Sequence, residues 1–201
     1  KASLNDHEGA LADFSEAIRI DPQLSEAYHN RGITKLDIKN DLGALIDFSE
    51  AIHIDPQFAL SFNSRGNAKY SLKDYSGAIQ DYTEAIRLDP QISEAYYNLG
   101  NAKYSLKDYS GAIQDYTEAI RLNPQDSLAY YSRGKVKASC TKYVEALADY
   151  TEALRLNPQD TLAYYNRGKA KSALENDTEA FADYTEALRL DPQYSRAYYE
   201  R

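Results

Sequence analysis

The sequence predicts an all-α solenoid, an array of stacked antiparallel helix hairpins built on a unit of thirty-four residues. The six prolines, Pro22, Pro56, Pro90, Pro124, Pro158 and Pro192, stand thirty-four apart, and each precedes a Gln. Five of the nine glycines, Gly32, Gly66, Gly100, Gly134 and Gly168, keep the same period, and Gly9, Gly43, Gly77 and Gly111 form a second column. Between these markers apolar residues recur at steps of three and four, the spacing of one helix face. A period of this length across the whole chain is the signature of a repeat array.

Read in order, the array opens with a partial unit at 1–24, the end of a first helix plus a second helix. Complete units follow at 25–58, 59–92, 93–126, 127–160 and 161–194, and 195–201 starts a further first helix. One continuous domain is expected. In the unit at 93–126, Ala95, Tyr96, Leu99, Gly100 and Lys103 mark the first helix, and Ala112, Ile113, Tyr116, Ala119 and Ile120 mark the second. Between the helices stand residues suited to an N-cap: Asp6, Asn40, Asp74, Asp108 and Asn176, with Lys142 the exception. Asn176 with Glu179 fits a capping box. Each Pro ends a second helix, because it lacks an amide donor and restricts the residue before it.

The stretch NAKYSLKDYSGAIQDYTEAIRL occurs unchanged as Asn67 to Leu88 and as Asn101 to Leu122. It runs from the middle of a first helix to the end of a second, so it is framework. Function is expected to be tuned in the residues before each copy, where FNSRG becomes YYNLG.

Composition narrows the function classes. The chain is 43% hydrophobic and 27% charged, enough to fold around a core. A formal charge of -8 argues against nucleic acid or an anionic membrane as the main partner. No run of eighteen apolar residues appears, so no membrane insertion is expected in this segment. A single Cys excludes an intrachain disulfide and a Cys-based zinc cluster, and leaves the compartment open.

These columns resemble the tetratricopeptide repeat, whose first helix carries Trp-x-x-Leu-Gly-x-x-Tyr, whose second carries Ala-x-x-x-Phe, and which closes on Pro. The second-helix pairs are Ala10 with Phe14, Ala44 with Phe48, Ala78 with Tyr82, Ala112 with Tyr116, Ala146 with Tyr150 and Ala180 with Tyr184. The large first-helix residue is Tyr28, Phe62, Tyr96, Tyr130, Tyr164 or Tyr198, with the Gly four residues on in each complete unit. The resemblance implies a right-handed superhelix whose concave side, lined by first helices, holds a protein or peptide.

The departures from that pattern are charged. Where the family has Leu before the Gly, this chain has Arg31, Arg65, Arg133, Arg167 and Arg201, and Leu99 alone keeps the type. Where it has an aromatic, all six residues are Lys: Lys1, Lys35, Lys69, Lys103, Lys137 and Lys171. The second helix answers with Asp13, Asp47, Asp81, Asp115, Asp149 and Asp183, and three residues later with Glu16, Glu50, Glu84, Glu118, Glu152 and Glu186. Arg and Lys four apart share one helix face, and Asp and Glu three apart share another. A structural ion-pair ladder between helices is expected.

Catalysis finds no support. The thiol Cys140 and the imidazoles His7, His29 and His53 lie in different units, and Cys140 and His29, three hairpins apart, are separated by roughly 50 Å in such a stack. No phosphate-binding Gly loop and no His pair at ligand spacing occur, so neither metal nor cofactor is expected. Acids repeated six times read as scaffold, not as an acid and base pair.

Surface remains. Solenoids bind along the concave side, and the resemblance places there His29, Asn63, Tyr97, Tyr131, Tyr165 and Tyr199, followed by Asn30, Ser64, Asn98, Ser132 and Asn166. Further along the first helices come Asn67, Asn101, Lys135 and Lys169, then Tyr70 and Tyr104, with Leu36, Ala138 and Ser172 in the same column. Tyrosines contribute contact area at low entropy cost, and amides donate to and accept from an extended peptide backbone. Lys135 and Lys169 make the second half more basic and suit an acidic segment.

The alternative function is a self-associating solenoid. Pieces 1–24 and 195–201 together fall three residues short of one unit, so SRAYYER of one molecule would meet KASL of the next in a head-to-tail stack. A longer parent protein accounts for the same ends more simply.

Overall fold

The computed structural model describes residues 4–201, with side-chain surroundings from His7 onward. Lys1 of the lysine column, the KASL segment up to residue 3 and the Asp6 side chain lie outside the described residues. The chain divides into two compact units, Lys1–Leu106 and Lys107–Arg201. Every described element is an α-helix, and the fold class is an α-solenoid of helical hairpins.

In the first unit α1 (Leu4–Ile20), α2 (Ser25–Asp37), α3 (Asp41–Ile54), α4 (Ala59–Ser71), α5 (Tyr75–Leu88) and α6 (Ser93–Ser105) pack each on its chain neighbour, and the first helices α2, α4 and α6 also touch in sequence. The core is built by small residues that let helices approach and by one large ring per hairpin. Phe48 of α3 packs with Ala44 and with Ala68 of α4, and Tyr82 of α5 with Ala78 and with Leu99 and Ala102 of α6. Each ring thus fastens its hairpin to the next. It lies over the glycine of its own first helix: a Cβ at Gly66 would stand 2.5 Å from Tyr82 Cε1. Only glycine leaves that space.

The second unit comprises α7 (Tyr109–Leu122), α8 (Ser127–Ser139), α9 (Tyr143–Leu156), α10 (Thr161–Ser172), α11 (Asp177–Leu190) and the short α12 (Ser195–Glu200), again packed neighbour on neighbour, with α8 touching α10. Tyr150 of α9 packs with Ala146 and Ala170. Tyr184 of α11 packs with Tyr165 of α10 and Ala197 of α12.

Turn chemistry explains the periodic punctuation. Asp55, Asp89 and Asp191 each accept at Oδ1 from the backbone N–H two residues on, at Gln57, Gln91 and Gln193, all at 2.9 Å, so the Asp-Pro-Gln run is a side-chain-closed turn. First helices end in a Schellman motif, in which Asn40 N–H donates to Lys35 O at 2.8 Å and Lys39 N–H to Leu36 O at 2.9 Å. The left-handed position falls on Lys39, Lys73, Lys107, Thr141 and Glu175, with φ between 60° and 66°.

Capping agrees with the sequence at three sites and not at a fourth. Asn40, Asp74 and Asp108 accept from the backbone N–H of Gly43, Gly77 and Gly111. The second glycine column gives these caps room: a Cβ at Gly77 would press on the Asp74 carboxylate as it is placed here. At Asn176 the third residue is Glu179, and no side-chain cap forms. There the Asn176 amide and Lys171 hold the Glu179 carboxylate below its ordinary range. The expected capping box does not form, because the Asn176 side chain accepts from no backbone N–H of α11. The sequence reading also passed over Asp126 and Asp160, which cap α8 and α10 by accepting from Leu128 and Ala129, and from Leu162 and Ala163.

Candidate functional site

The first helices of each unit present one row of polar and aromatic side chains, and the two rows differ at positions sixty-eight residues apart. In the first unit amides bond to one another. Asn98 Nδ2 donates to Asn63 Oδ1 at 3.2 Å and to Asn67 Oδ1 at 3.0 Å, and Tyr82 O–H donates to the same Asn67 oxygen at 2.8 Å. Burial raises the Tyr82 pKa, so this hydroxyl remains a donor. Asn63 is buried and also donates to Glu94. The Tyr70 ring lies 5.2 Å from the Tyr75 ring, and its hydroxyl is hydrogen-bonded to Ser105 Oγ at 3.2 Å, spanning from α4 to α6. What is left between these helices is a cavity of about 180 Å³ bordered by Asn67, Tyr70, Ser71, Tyr82, Asn98 and Asn101.

The matching cavity of the second unit, between α8 and α10, measures about 380 Å³. Its walls include Lys135, Ala138, Tyr143, Tyr150, Asn166, Lys169 and Ala173. Each residue corresponds to one in the first unit: Lys135 to Asn67, Ala138 to Tyr70, Lys169 to Asn101, and Ala173 to Ser105. Asn166 donates to the Tyr131 hydroxyl at 3.0 Å, as Asn98 does to Asn63. A second, wider cavity of about 560 Å³ follows between α10 and α12, lined by Tyr165, Lys169, Ser195, Arg196, Tyr199 and Glu200. Lys169 borders both, and its Nζ lies 5.7 Å from the centroid of the Tyr165 ring.

A search of curated protein sequences gives no match. Sequence profiles described as tetratricopeptide repeat match residues 93–126 and 162–194, and a TPR repeat profile matches 66–107 and 138–174. The chain belongs to the tetratricopeptide repeat family. Solved structures similar to it include that of YrrB, described as a TPR protein with an unusual peptide-binding site, at 22% identity over 92% of this chain and 96% of that one, with a TM-score of 0.78. The structure from work on Pseudomonas aeruginosa pilF aligns at 21% identity over 98% and 91%, TM-score 0.86. MamA 41-end from Desulfovibrio magneticus RS-1 aligns at 19% over 85% and 96%, TM-score 0.78. At these identities the likeness is one of fold.

The charged departures from the tetratricopeptide repeat pattern are brought together in the structure. Asp47, Asp81, Asp149 and Asp183 are buried, and each takes a two-pronged contact from the Arg sixteen residues before it, with the shorter N–O distance at 2.7 Å. Lys35, Lys69, Lys137 and Lys171 bind the other carboxylate oxygen at 2.6 to 3.0 Å. Each Arg also covers a first-helix ring, Arg31 over Tyr28, Arg65 over Phe62, Arg133 over Tyr130 and Arg167 over Tyr164, at 5.4 to 5.7 Å. Arg31, Arg65 and Arg133 donate onward to Ser15, Ser49 and Thr117 of the preceding second helix. Asp115 is buried on α7, and Leu99 on α6.

One expectation is corrected. The Glu column does not join the ladder: Glu16, Glu84, Glu118, Glu152 and Glu186 pair along their own helix with Arg19, Arg87, Arg121, Arg155 and Arg189. A pair three residues apart on one helix is already within reach, and the buried Asp is the carboxylate nearest the Arg and Lys of the first helix. Tyr165 lines the cavity between α10 and α12 with most of its surface packed. Its ring is 7% exposed, 6.0 Å from Tyr184 and edge-on to Tyr194 at 5.1 Å, and burial raises its pKa.

Among the remaining sequence candidates, Tyr97, Tyr104 and Asn101 are half-buried on α6, Tyr131 is half-buried against Tyr150, Asn30 is exposed, and Tyr199 is 90% exposed. Cys140 is half-buried at the end of α8. Among the described residues no group of His, Cys, Asp or Glu stands together as a metal site, and no helix is long and apolar enough to cross a membrane. Sequence reasoning placed Ala138 in its column but missed Tyr143 and Ala173. Aligning the chain on itself at sixty-eight residues is the signal that finds them.

Proposed function

We propose that the chain is a non-catalytic interaction scaffold whose second unit holds an extended partner segment along the first-helix face of α8, α10 and α12. One observation carries this reading. Two positions that are Asn in the first unit, Asn67 and Asn101, are the exposed Lys135 and Lys169 in the second, beside cavities of about 380 and 560 Å³, in a chain of net charge -8. Local basic charge on an acidic protein favours an acidic segment. YrrB, described as having a peptide-binding site, supports peptide recognition on this fold by analogy.

The test is affinity capture with mass spectrometry, wild type against the double variant Lys135→Glu and Lys169→Glu. Both residues are exposed, so stability should change by no more than about 0.5 kcal/mol. Partners held by this face are lost or weakened at least tenfold in the variant. An unchanged partner set would remove the face from consideration.

A further inference from the structure

The first unit shows what fits into the second. Between α4 and α6 the Tyr70 ring occupies the inter-helix space, tilted at 60° to Tyr75, with its hydroxyl against Ser105. Between α8 and α10 the same backbone positions carry Ala138 and Ala173, while Tyr143 keeps the place of Tyr75 and Tyr150 that of Tyr82. Loss of one ring and one hydroxyl accompanies a doubling of the cavity, from about 180 to about 380 Å³. The two aromatic walls beside Tyr70 in the first unit are therefore preserved, as Tyr143 and Tyr150, around an aromatic-sized space in the second. Lys135 and Lys169 stand at its mouth where the closed version has neutral amides.

We propose that this cavity is an anchor pocket for an aromatic side chain of the partner segment, with an acidic residue next to that aromatic held by Lys135 and Lys169. The ring meets Tyr143 as Tyr70 meets Tyr75, an offset or tilted arrangement that aromatic pairs favour. A buried aromatic in a fitted pocket ringed by polar groups is the usual form of an interface hot spot. Asn166, whose Nδ2 donates to Tyr131 Oη and Leu162 O, offers its Oδ1 to a backbone N–H of the same segment. The assignment rests on the first-helix reading proposed above and adds to it the side chain that is recognised.

The probe is a phage-displayed library of random decapeptides, selected on the wild-type chain. It is also selected on Ala138→Tyr with Ala173→Ser, which copies the first unit's own filling, and on Lys135→Glu with Lys169→Glu. Thermal melting checks that each variant is folded. Wild type enriches peptides with Phe, Tyr or Trp beside Asp or Glu, and by fluorescence anisotropy the leading peptide binds the filled variant at least tenfold more weakly. Replacing its acidic residue by Gln weakens binding in the wild type but not in the charge-reversed variant. Enriched peptides that lack the aromatic, or that bind the filled variant as tightly as wild type, overturn the pocket, as does a selection that enriches nothing. If such peptides still fail on the charge-reversed variant, the first-helix face stands and only the pocket falls; if they bind all three chains alike, both fall.

Discussion

Asp81→Ala removes the centre of one ion-pair group and leaves its two cations facing each other. Asp81 is 4% exposed and receives Arg65 Nε at 2.9 Å, Arg65 Nη2 at 2.7 Å and Lys69 Nζ at 2.7 Å. Breaking a buried pair costs about 3–5 kcal/mol and an exposed one about 0–1. The Arg65 and Lys69 side chains keep 19% and 20% of their exposure, so water reaches the stranded charges and the loss falls near the lower buried figure. About 3 kcal/mol corresponds to a fall in Tm of roughly 6–12 °C for a chain of this length. The assay is thermal melting by circular dichroism, with calorimetry to check that the loss is confined to one transition. Gln80→Ala, next to it on the exposed side of α5, sets the baseline and should shift stability by no more than about 0.5 kcal/mol. Adding Arg65→Leu to Asp81→Ala should recover part of the loss, because it removes one uncompensated cation, and Leu99 shows that the position accepts Leu. Equal small shifts for Asp81→Ala and Gln80→Ala would refute the reasoning.

Gly66→Ala should destabilise by about 1–3 kcal/mol through the clash of its Cβ with the Tyr82 ring. Gly134→Ala, where the nearest Tyr150 atom is 3.0 Å away, should cost less by the same melting assay, and a reversed order would count against ring contact as the cause. His29, between the Phe48 and Phe58 rings with Nδ1 bonded to Ser61 Oγ at 2.9 Å, has a pKa pushed below its ordinary 6.5 by burial. The unfolded chain then binds the proton more readily. The stability contributed by neutral His29 is complete above pH 6.5 and is lost as pH falls from there through the folded pKa. Urea midpoints should therefore drop more between pH 7 and about 5 in wild type than in His29→Asn, and parallel curves would show that His29 is not the titrating group.

The sequence made the fold legible because every hairpin repeats the same few constraints. Pro ends a helix, Gly admits a ring, and Ala lets the next helix close. Charge was legible in type but not in partner. Arg31 and Asp47 are sixteen residues apart and meet only through packing, whereas Glu84 had Arg87 within one turn of its own helix. Periodicity marks a face without ranking its depth, which is why Tyr165 and Tyr199, equivalent in the pattern, are 7% and 90% exposed. The α8–α10 cavity was hidden for a different reason. It is made by what Ala138 and Ala173 lack, and a missing side chain shows only against the copy that has it.

The Arg133 side chain is fastened to α9 through Asp149, to its own helix through Tyr130 and to α7 through Thr117. No one of these helices can peel away while the other two keep all their bonds, so neighbouring hairpins open together. Leu99 couples α6 to α5 by apolar contact with Tyr82 instead. Concentrated salt weakens a partly wet ionic fastening and spares an apolar one. A repeat array can thus differ in the kind of cooperativity from joint to joint while its backbone geometry stays the same.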